Sequence, residues 1–232
     1  MPSKNQNRVV VAIFAHPDDE AFGPSGTITK LAKTHDIYVL CATRGEAGLP
    51  AEAQAKVGGN LKNIGEVREK ELRCSAQILG VKKVYFLGFA DGTLSNSLYH
   101  RLAARIEQKL KLLKPQTVIT FEPRGISGHI DHITVSLATT YIFYRLPFVQ
   151  KLLYFCISEE ERKLVKDYFI YFPPGYKKSD INQIVDVSDV WERKIQSMMC
   201  HKSQIGDAKR ILKMRKMLPK KEHFLVIKKS QQ

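Results

Sequence analysis

No G-x-G-x-x-G pattern follows the first apolar run of this 232-residue chain, so a dinucleotide site is not indicated. Acidic residues are scarce. Asp and Glu number 23 against 37 Lys and Arg, a net charge of +14. A field of that sign attracts anionic substrates, nucleic acid or anionic membrane surfaces. Aromatic residues are not interleaved with the basic runs as base-stacking platforms require, so a nucleic-acid role would rest on charge alone. Long apolar runs are also missing. The nearest, Val135–Phe155, contains Arg145, Pro147 and Lys151, which argues against a membrane-spanning helix. The polar stretch Met1–Asn7 holds no apolar signal core, so secretion is not expected and a cytoplasmic location is. Cysteines are few and scattered, at Cys41, Cys74, Cys156 and Cys200, with no C-x-x-C pair. Reduced buried thiols are expected, and a cysteine-based zinc site is not. There are no repeats and no low-complexity linker, and the length suits a single domain spanning residues 1–232.

Strand-like and helix-like patterns alternate along the chain. Val9–Phe14 reads as a strand, Ser25–Lys33 as a helix with Ser25 as its N-cap, and Ile37–Ala42 as a second strand. Thr43–Asn60, rich in glycine and small residues, reads as a long loop. Ile64, Val67, Leu72, Ala76 and Leu79 keep helical spacing, with Gly80 as the stop. Val84–Leu87 is a third strand, Ser95–Leu113 a helix closed by Pro115, and Thr117–Phe121 a fourth strand. A further helix begins at or just after Asp131. Beyond Pro147, Lys151–Ile157 and Tyr168–Phe172 read as strands, Glu159–Lys166 as a charged helix or loop, and Asp189–His201 as a helix. Repeated βαβ units predict an α/β fold, a parallel sheet with helices on both faces.

Two short stretches carry the chemistry. Ala15-His16-Pro17-Asp18-Asp19-Glu20 follows the first strand, and Gly128-His129-Ile130-Asp131-His132 follows the fourth. Open α/β sheets bind ligands just past the C-terminal ends of their strands. The two stretches offer two imidazoles and a carboxylate for a metal, with a further carboxylate and imidazole for proton transfer, which is what a zinc hydrolase needs. Neighbouring Asp18 and Asp19 point in different directions in a tight turn, so one serves as ligand and the other takes a proton. His129 and His132, three apart on a helical turn, divide between ligation and the reacting group. Asp131 between them could orient an imidazole through its ring N–H.

These motifs resemble the LmbE-like, or PIG-L-type, zinc-dependent N-deacetylases. The likeness lies in H-P-D-D-E followed by Ala21–Thr27 and in the distal H-I-D-H. Weaker matches are Thr43–Glu46, Arg68–Leu72, Gly88–Gly92 and His201–Gln204. The resemblance implies a Rossmann-like three-layer α/β/α fold and hydrolysis of an acetamide, usually on an N-acetylglucosamine conjugate. It implies His16, Asp19 and His132 as zinc ligands, with ferrous iron also suiting this donor set. It further implies Asp18 as general base, His129 steadying the oxyanion or protonating the leaving amine, and Asp131 supporting His129. Arg68 would touch the substrate beyond the sugar ring, the alternative being a salt bridge with Glu71. Asp91 would accept sugar hydroxyls or simply make an Asp-Gly turn. Glu46 would hydrogen-bond near the site or serve structure. His201 reads as a packing residue at a helix end, and Glu20 as a supporting partner rather than a base.

The expected partner is a small N-acetyl sugar conjugate, and the basic balance favours an anionic one. The alternatives are a zinc amidohydrolase acting on a non-sugar amide, or a carbohydrate- or polyanion-binding protein without turnover. Positive charge concentrates in the C-terminal extension, about residues 207–232, especially Lys209–Lys221. Ile211, Leu212 and Met214, with Leu218 one turn on, give this stretch an apolar stripe. It reads as an amphipathic helix on the domain's edge, with a peripheral membrane or polyanion contact as the competing reading.

Overall fold

A computed structural model describes residues 8–48, 64–165 and 171–229. Seven strands form one sheet: β1 Val9–Phe14, β2 Asp36–Cys41, β3 Lys83–Phe86, β4 Thr117–Phe121, β5 Lys151–Cys156, β6 Gln183–Asp186 and β7 Lys221–Lys228. Their spatial order is β3-β2-β1-β4-β5-β7-β6. The first five run parallel, and β7 lies antiparallel to both β5 and β6. All six residues of β1 are buried. A β-branched and aromatic run without polar alternation suits a strand covered on both faces. Helices α1 Ser25–Ala32, α2 Ile64–Leu79, α5 Trp191–Cys200 and α6 Ile205–Arg215 form one layer, and α3 Tyr99–Leu113 and α4 Ile130–Arg145 form the other. This is the Rossmann-like α/β/α arrangement. The strand order reverses between β1 and β4, which opens a crevice at their C-terminal ends.

The buried stripe of α2 has a polar half and an apolar half. Arg68, Glu71 and Ser75 are buried alongside Leu72, Ala76 and Leu79, at helical spacing. The polar members reach toward the sheet's C-terminal edge, and the apolar ones join the core. Gly80, at φ 78°, ends the helix as expected.

Several expectations need correction. Ser25 does not cap α1; its hydroxyl donates to the Ala21 carbonyl. The helix expected from Ser95 starts at Tyr99, after turns. Tyr171 and Phe172 are not in a strand, while residues 168–170 of that expected strand and 49–60 of the expected loop lie outside the described residues. The strand in this region is Gln183–Asp186 instead. The basic C-terminal stretch is no appendage. Ile211 and Leu212 of α6 pack against Ala21, Met198 and Ala208, so these two members of the apolar stripe are used inside the protein. Lys221–Lys228 then enters the sheet as β7, with Phe224 fully buried. Its neighbour Glu222 is buried against the Lys194 ammonium at 2.8 Å and accepts the Gly26 and Thr27 amides at the start of α1. The cysteine reading fails for one pair: Cys74 on α2 and Cys200 at the end of α5 form a disulfide, with Cα atoms 5.9 Å apart. For that pair the argument for a reducing compartment falls away. Cys41 and Cys156 are buried free thiols. Among the described residues no helix is long and apolar enough to cross a membrane.

Candidate metal centre

The site occupies the β1/β4 crevice. After β1 the chain turns at His16–Asp18 into a single helical turn, Asp19–Phe22. Asp18 adopts φ 115°, a left-handed conformation disfavoured for any residue with a Cβ. Its carbonyl accepts the Ala21 and Phe22 amides at 2.9 and 2.8 Å. The adjacent carboxylates therefore diverge. Asp19 Oδ2 accepts the backbone N–H groups of Ala15 and His16 and lies 3.8 Å from His16 Nδ1, while Oδ1 lies 3.3 Å from His132 Nε2. Asp18 Oδ2 faces the Arg68 guanidinium at 3.0 Å.

After β4, Glu122 is buried and holds the next turn, accepting the Arg124 and Ile126 amides and the Tyr176 hydroxyl. Gly125, Ile126 and Gly128 all have positive φ. This turn delivers His129 and His132 at the start of α4. The His132 ring stacks on Phe121, centroids 4.1 Å apart.

The imidazole tautomers follow from their partners. His132 Nδ1 lies 3.1 Å from the Gly125 carbonyl, which can only accept, so Nδ1 carries the hydrogen and Nε2 the lone pair. His16 Nε2 lies 2.9 Å from Asp91 and 3.2 Å from Asp131, so it donates to carboxylates and leaves Nδ1 as the lone pair. His16 Nδ1 and His132 Nε2 then face each other at 3.1 Å. Two lone pairs at that distance repel unless a proton or a cation stands between them. Tetrahedral zinc, with ligand bonds of about 2.0–2.1 Å, separates neighbouring donors by roughly 3.3 Å. The 3.1 Å between His16 Nδ1 and His132 Nε2 and the 3.3 Å between His132 Nε2 and Asp19 Oδ1 suit such an ion, while Asp19 approaches His16 Nδ1 through its other oxygen, Oδ2, at 3.8 Å. His129 also lies within reach of the His16 and His132 nitrogens, and Asp91 and Asp131 gather around the far side of His16.

Burial alone would lower the His16 pKa, but hydrogen bonds to Asp131 and Asp91, with the charges of Asp19 and Asp91, carry it up to about 10. Burial would raise that of Asp19, but the charge and hydrogen bond of His132 and the proximity of His16 hold it well below the usual carboxylate range. For Asp18, burial dominates. Against the pull of Arg68, and with Asp19 adding to the rise, it is pushed up to about 7. His129 is depressed to about 4 by burial and by the nearby His132 and His16.

Several expected roles change. Asp131 does not support His129 through its carboxylate. That carboxylate faces His16 Nε2 and accepts the Gly92 and Leu94 amides, while the Asp131 backbone N–H donates to His129 Nδ1. The reason is the start of α4: His129 caps the helix, so the side chain of Asp131 turns inward. Asp91 lies in the turn read from its Asp-Gly pair, and its carboxylate is engaged by protein groups. It is held between His16 and the Ala47 amide with a side chain only 6% exposed. Arg68 makes no salt bridge with Glu71, which instead takes the Ser203 amide and hydroxyl. Arg68 is buried against Asp18 and the carbonyls of Pro17 and Gly45. Glu46 is exposed and accepts the Arg44 and Asp91 amides at the rim. His201 is more than a packing residue, since its Nε2 lies 2.8 Å from Glu20. Glu122 was not singled out in the sequence; the signal was a carboxylate directly past a strand's C-terminal end.

Residues 11–143 match the family described as PIG-L, GlcNAc-PI de-N-acetylase. A probable N-acetyl-alpha-D-glucosaminyl L-malate deacetylase 2 of Bacillus cereus is 29% identical over 199 residues, covering 85% of this chain and 84% of its own. A 1D-myo-inositol 2-acetamido-2-deoxy-alpha-D-glucopyranoside deacetylase of Corynebacterium glutamicum is 30% identical over 220 residues, 84% of this chain and 74% of its own. Among solved structures, the N,N'-diacetylchitobiose deacetylase of Pyrococcus horikoshii superposes with a TM-score of 0.70 at 23% identity, covering 96% of this chain and 85% of that one. At that identity the likeness is one of fold.

Proposed function

Because the chain belongs to the PIG-L family of de-N-acetylases, we propose that it removes the acetyl group from a small N-acetylglucosamine conjugate, with His16, Asp19 and His132 holding a zinc or ferrous ion. The observation that carries this reading is the convergence of His16 Nδ1, His132 Nε2 and the Asp19 carboxylate in the β1/β4 crevice, with Asp18 beside them. A bound ion of this kind supplies a Lewis acid and a water acidified from a pKa of 15.7 to about 7.

The protein's own groups supply the rest. Asp18, poised near neutrality, takes the proton of the attacking water and, once protonated, returns it to the departing amine. Amide cleavage near neutral pH needs that proton, since an amine anion is too poor a leaving group. Arg68 limits how far burial raises Asp18 and fixes the direction of its carboxylate. His129 accepts the Asp131 amide at Nδ1, so its neutral ring carries hydrogen on Nε2. Depressed to about 4, it acts as a neutral hydrogen-bond donor to the developing oxyanion rather than as an imidazolium. Proton delivery therefore falls to Asp18. Asp91 and Asp131 grip His16 Nε2, turning its Nδ1 toward the ion and raising its basicity.

The named relatives act on glucosaminyl malate and inositol conjugates, which supports a sugar conjugate here. The net charge of +14 favours an anionic aglycone. The test is amine release from N-acetylglucosaminyl malate, N-acetylglucosaminyl inositol, diacetylchitobiose and a simple acetamide, with zinc added or chelated. Metal-dependent release from a sugar conjugate supports the reading. Release from the simple acetamide alone, or none despite one bound metal per chain, refutes it.

A further inference from the structure

We propose that Glu20 is a positioning residue for Asp18, held by a clamp that Ser75 and His201 form from two different helices. The inference rests on the reading of Asp18 as the base. Glu20 is 1% exposed, and its carboxylate faces three donors from three parts of the chain. Oε1 accepts the Ser75 hydroxyl of α2 at 2.6 Å and faces His201 Nε2, just past α5, at 2.8 Å. Oε2 accepts the backbone amide of Asp18 at 3.2 Å.

That last bond matters because of where Asp18 sits. A residue with a Cβ held at φ 115° is strained and persists only when its surroundings over-determine it. The Asp18 carbonyl is tied to Ala21 and Phe22, and its carboxylate to Arg68. Its amide is tied only through Glu20 among the described residues. This backbone conformation is what sends Asp18 and Asp19 in opposite directions. If it relaxes, Asp18 swings away from the reacting centre while Asp19 remains anchored by the Ala15 and His16 amides. The clamp is framed covalently, since Cys74 directly precedes Ser75 and Cys200 directly precedes His201, and the two cysteines are joined.

The clamp needs a carboxylate. Glu20→Gln keeps size and shape but removes the charge: with its carbonyl on the Asp18 N–H, its NH2 meets Ser75 and His201 only if both reverse to acceptors, and every bond of the clamp becomes a weaker neutral one. The expected result is a kcat lower by on the order of 10²-fold, the cost of a small misplacement at a reacting centre. KM, metal content and cooperative unfolding stay unchanged. His201→Gln, which retains a donor at the Nε2 position, keeps most of kcat, whereas His201→Leu matches Glu20→Gln. Hydrogen exchange at the Asp18 amide is followed in the same metal-loaded proteins. It quickens at least tenfold in Glu20→Gln and His201→Leu and returns to the parent rate in His201→Gln. Unchanged exchange and kcat in Glu20→Gln overturn the proposal, as does equal damage from His201→Gln and His201→Leu. If the parent protein releases no amine from any conjugate, the deacetylase reading fails, and the exchange rates still decide whether the clamp exists.

Discussion

The two turns that build the site are fixed by different means. The turn after β4 is shaped by backbone. Gly125 and Gly128 take positive φ at little cost, and Ile126 between them takes it with its amide held by the buried Glu122. The turn after β1 has no glycine where it bends most sharply. It places Asp18 in a left-handed conformation and holds it there with buried charge: Arg68 on the carboxylate and Glu20 on the amide. One turn is vulnerable to an added methyl group, the other to the loss of a charge. The ligand His132 sits on the first kind, and the base Asp18 on the second beside the ligands His16 and Asp19, so damage to the first turn should cost metal binding while loss of Asp18 alone should cost turnover.

The largest expected effects separate those functions outright. His132→Ala or His16→Ala should abolish both bound metal and turnover. Asp18→Ala should keep one metal per chain, by metal analysis, while turnover falls about 10³–10⁴-fold, the upper range for loss of a general base. Retained activity in Asp18→Ala would sink the base assignment. Gly125→Ala probes the backbone-built turn. A Cβ there would lie 2.9 Å from the Cβ of His132, at a φ of 70°. Metal affinity should fall at least tenfold, with much of the rate recovered at saturating zinc; an equal loss at any zinc concentration would erase the contrast between the turns.

The pH profile sharpens the same contrast. Asp18 must be ionised to take a proton, and burial sets its pKa near 7. Log kcat/KM should therefore rise with pH up to about 7 and then level, with a slope of roughly one per pH unit on the acid side. An acid limb near pH 4, the ordinary carboxylate range, would show that burial does not tune this group.

Two further tests address the frame. Lys194 and Glu222 are both essentially fully buried, so Glu222→Gln leaves an ammonium uncompensated and should cost about 3–5 kcal/mol in urea unfolding. A change under 1 kcal/mol would mean that the pair is solvated. Replacing Cys74 and Cys200 by serine should cost about 2–4 kcal/mol and leave metal content intact. Thiol titration of the denatured parent protein should find two thiols without reductant and four with it. Four in both cases would remove the disulfide.

The H-P-D-D-E and H-I-D-H stretches were legible in the sequence because each lies within a few residues and follows a strong strand signal. The partners of His16 were not. Asp91 and Asp131 come from segments 75 and 115 residues away, and local patterns assigned them to a turn and to the adjacent His129. Arg68 was readable as a site residue, but its partner was not, because helical spacing points to Glu71 whereas tertiary packing brings Asp18. The Cys74–Cys200 pair spans 126 residues and carries no spacing signal. β7 was hidden by its composition: lysines at both ends mask a strand in which only Glu222 and Phe224, two apart, are buried. That is a period of two too short to stand out from a basic tail.

The position of β7 also bears on how the chain comes together during synthesis. Among the described residues β6 joins the sheet through β7 alone, and β5 has β7 as its neighbour on that side. β7 is nevertheless the last of these seven strands to leave the ribosome. Until it arrives, β5 presents an unpaired, hydrophobic edge and the Lys194 ammonium lacks its counter-charge. Such an edge is a template for association with other nascent chains. The strand that closes the fold is therefore also the one whose delay exposes it to aggregation.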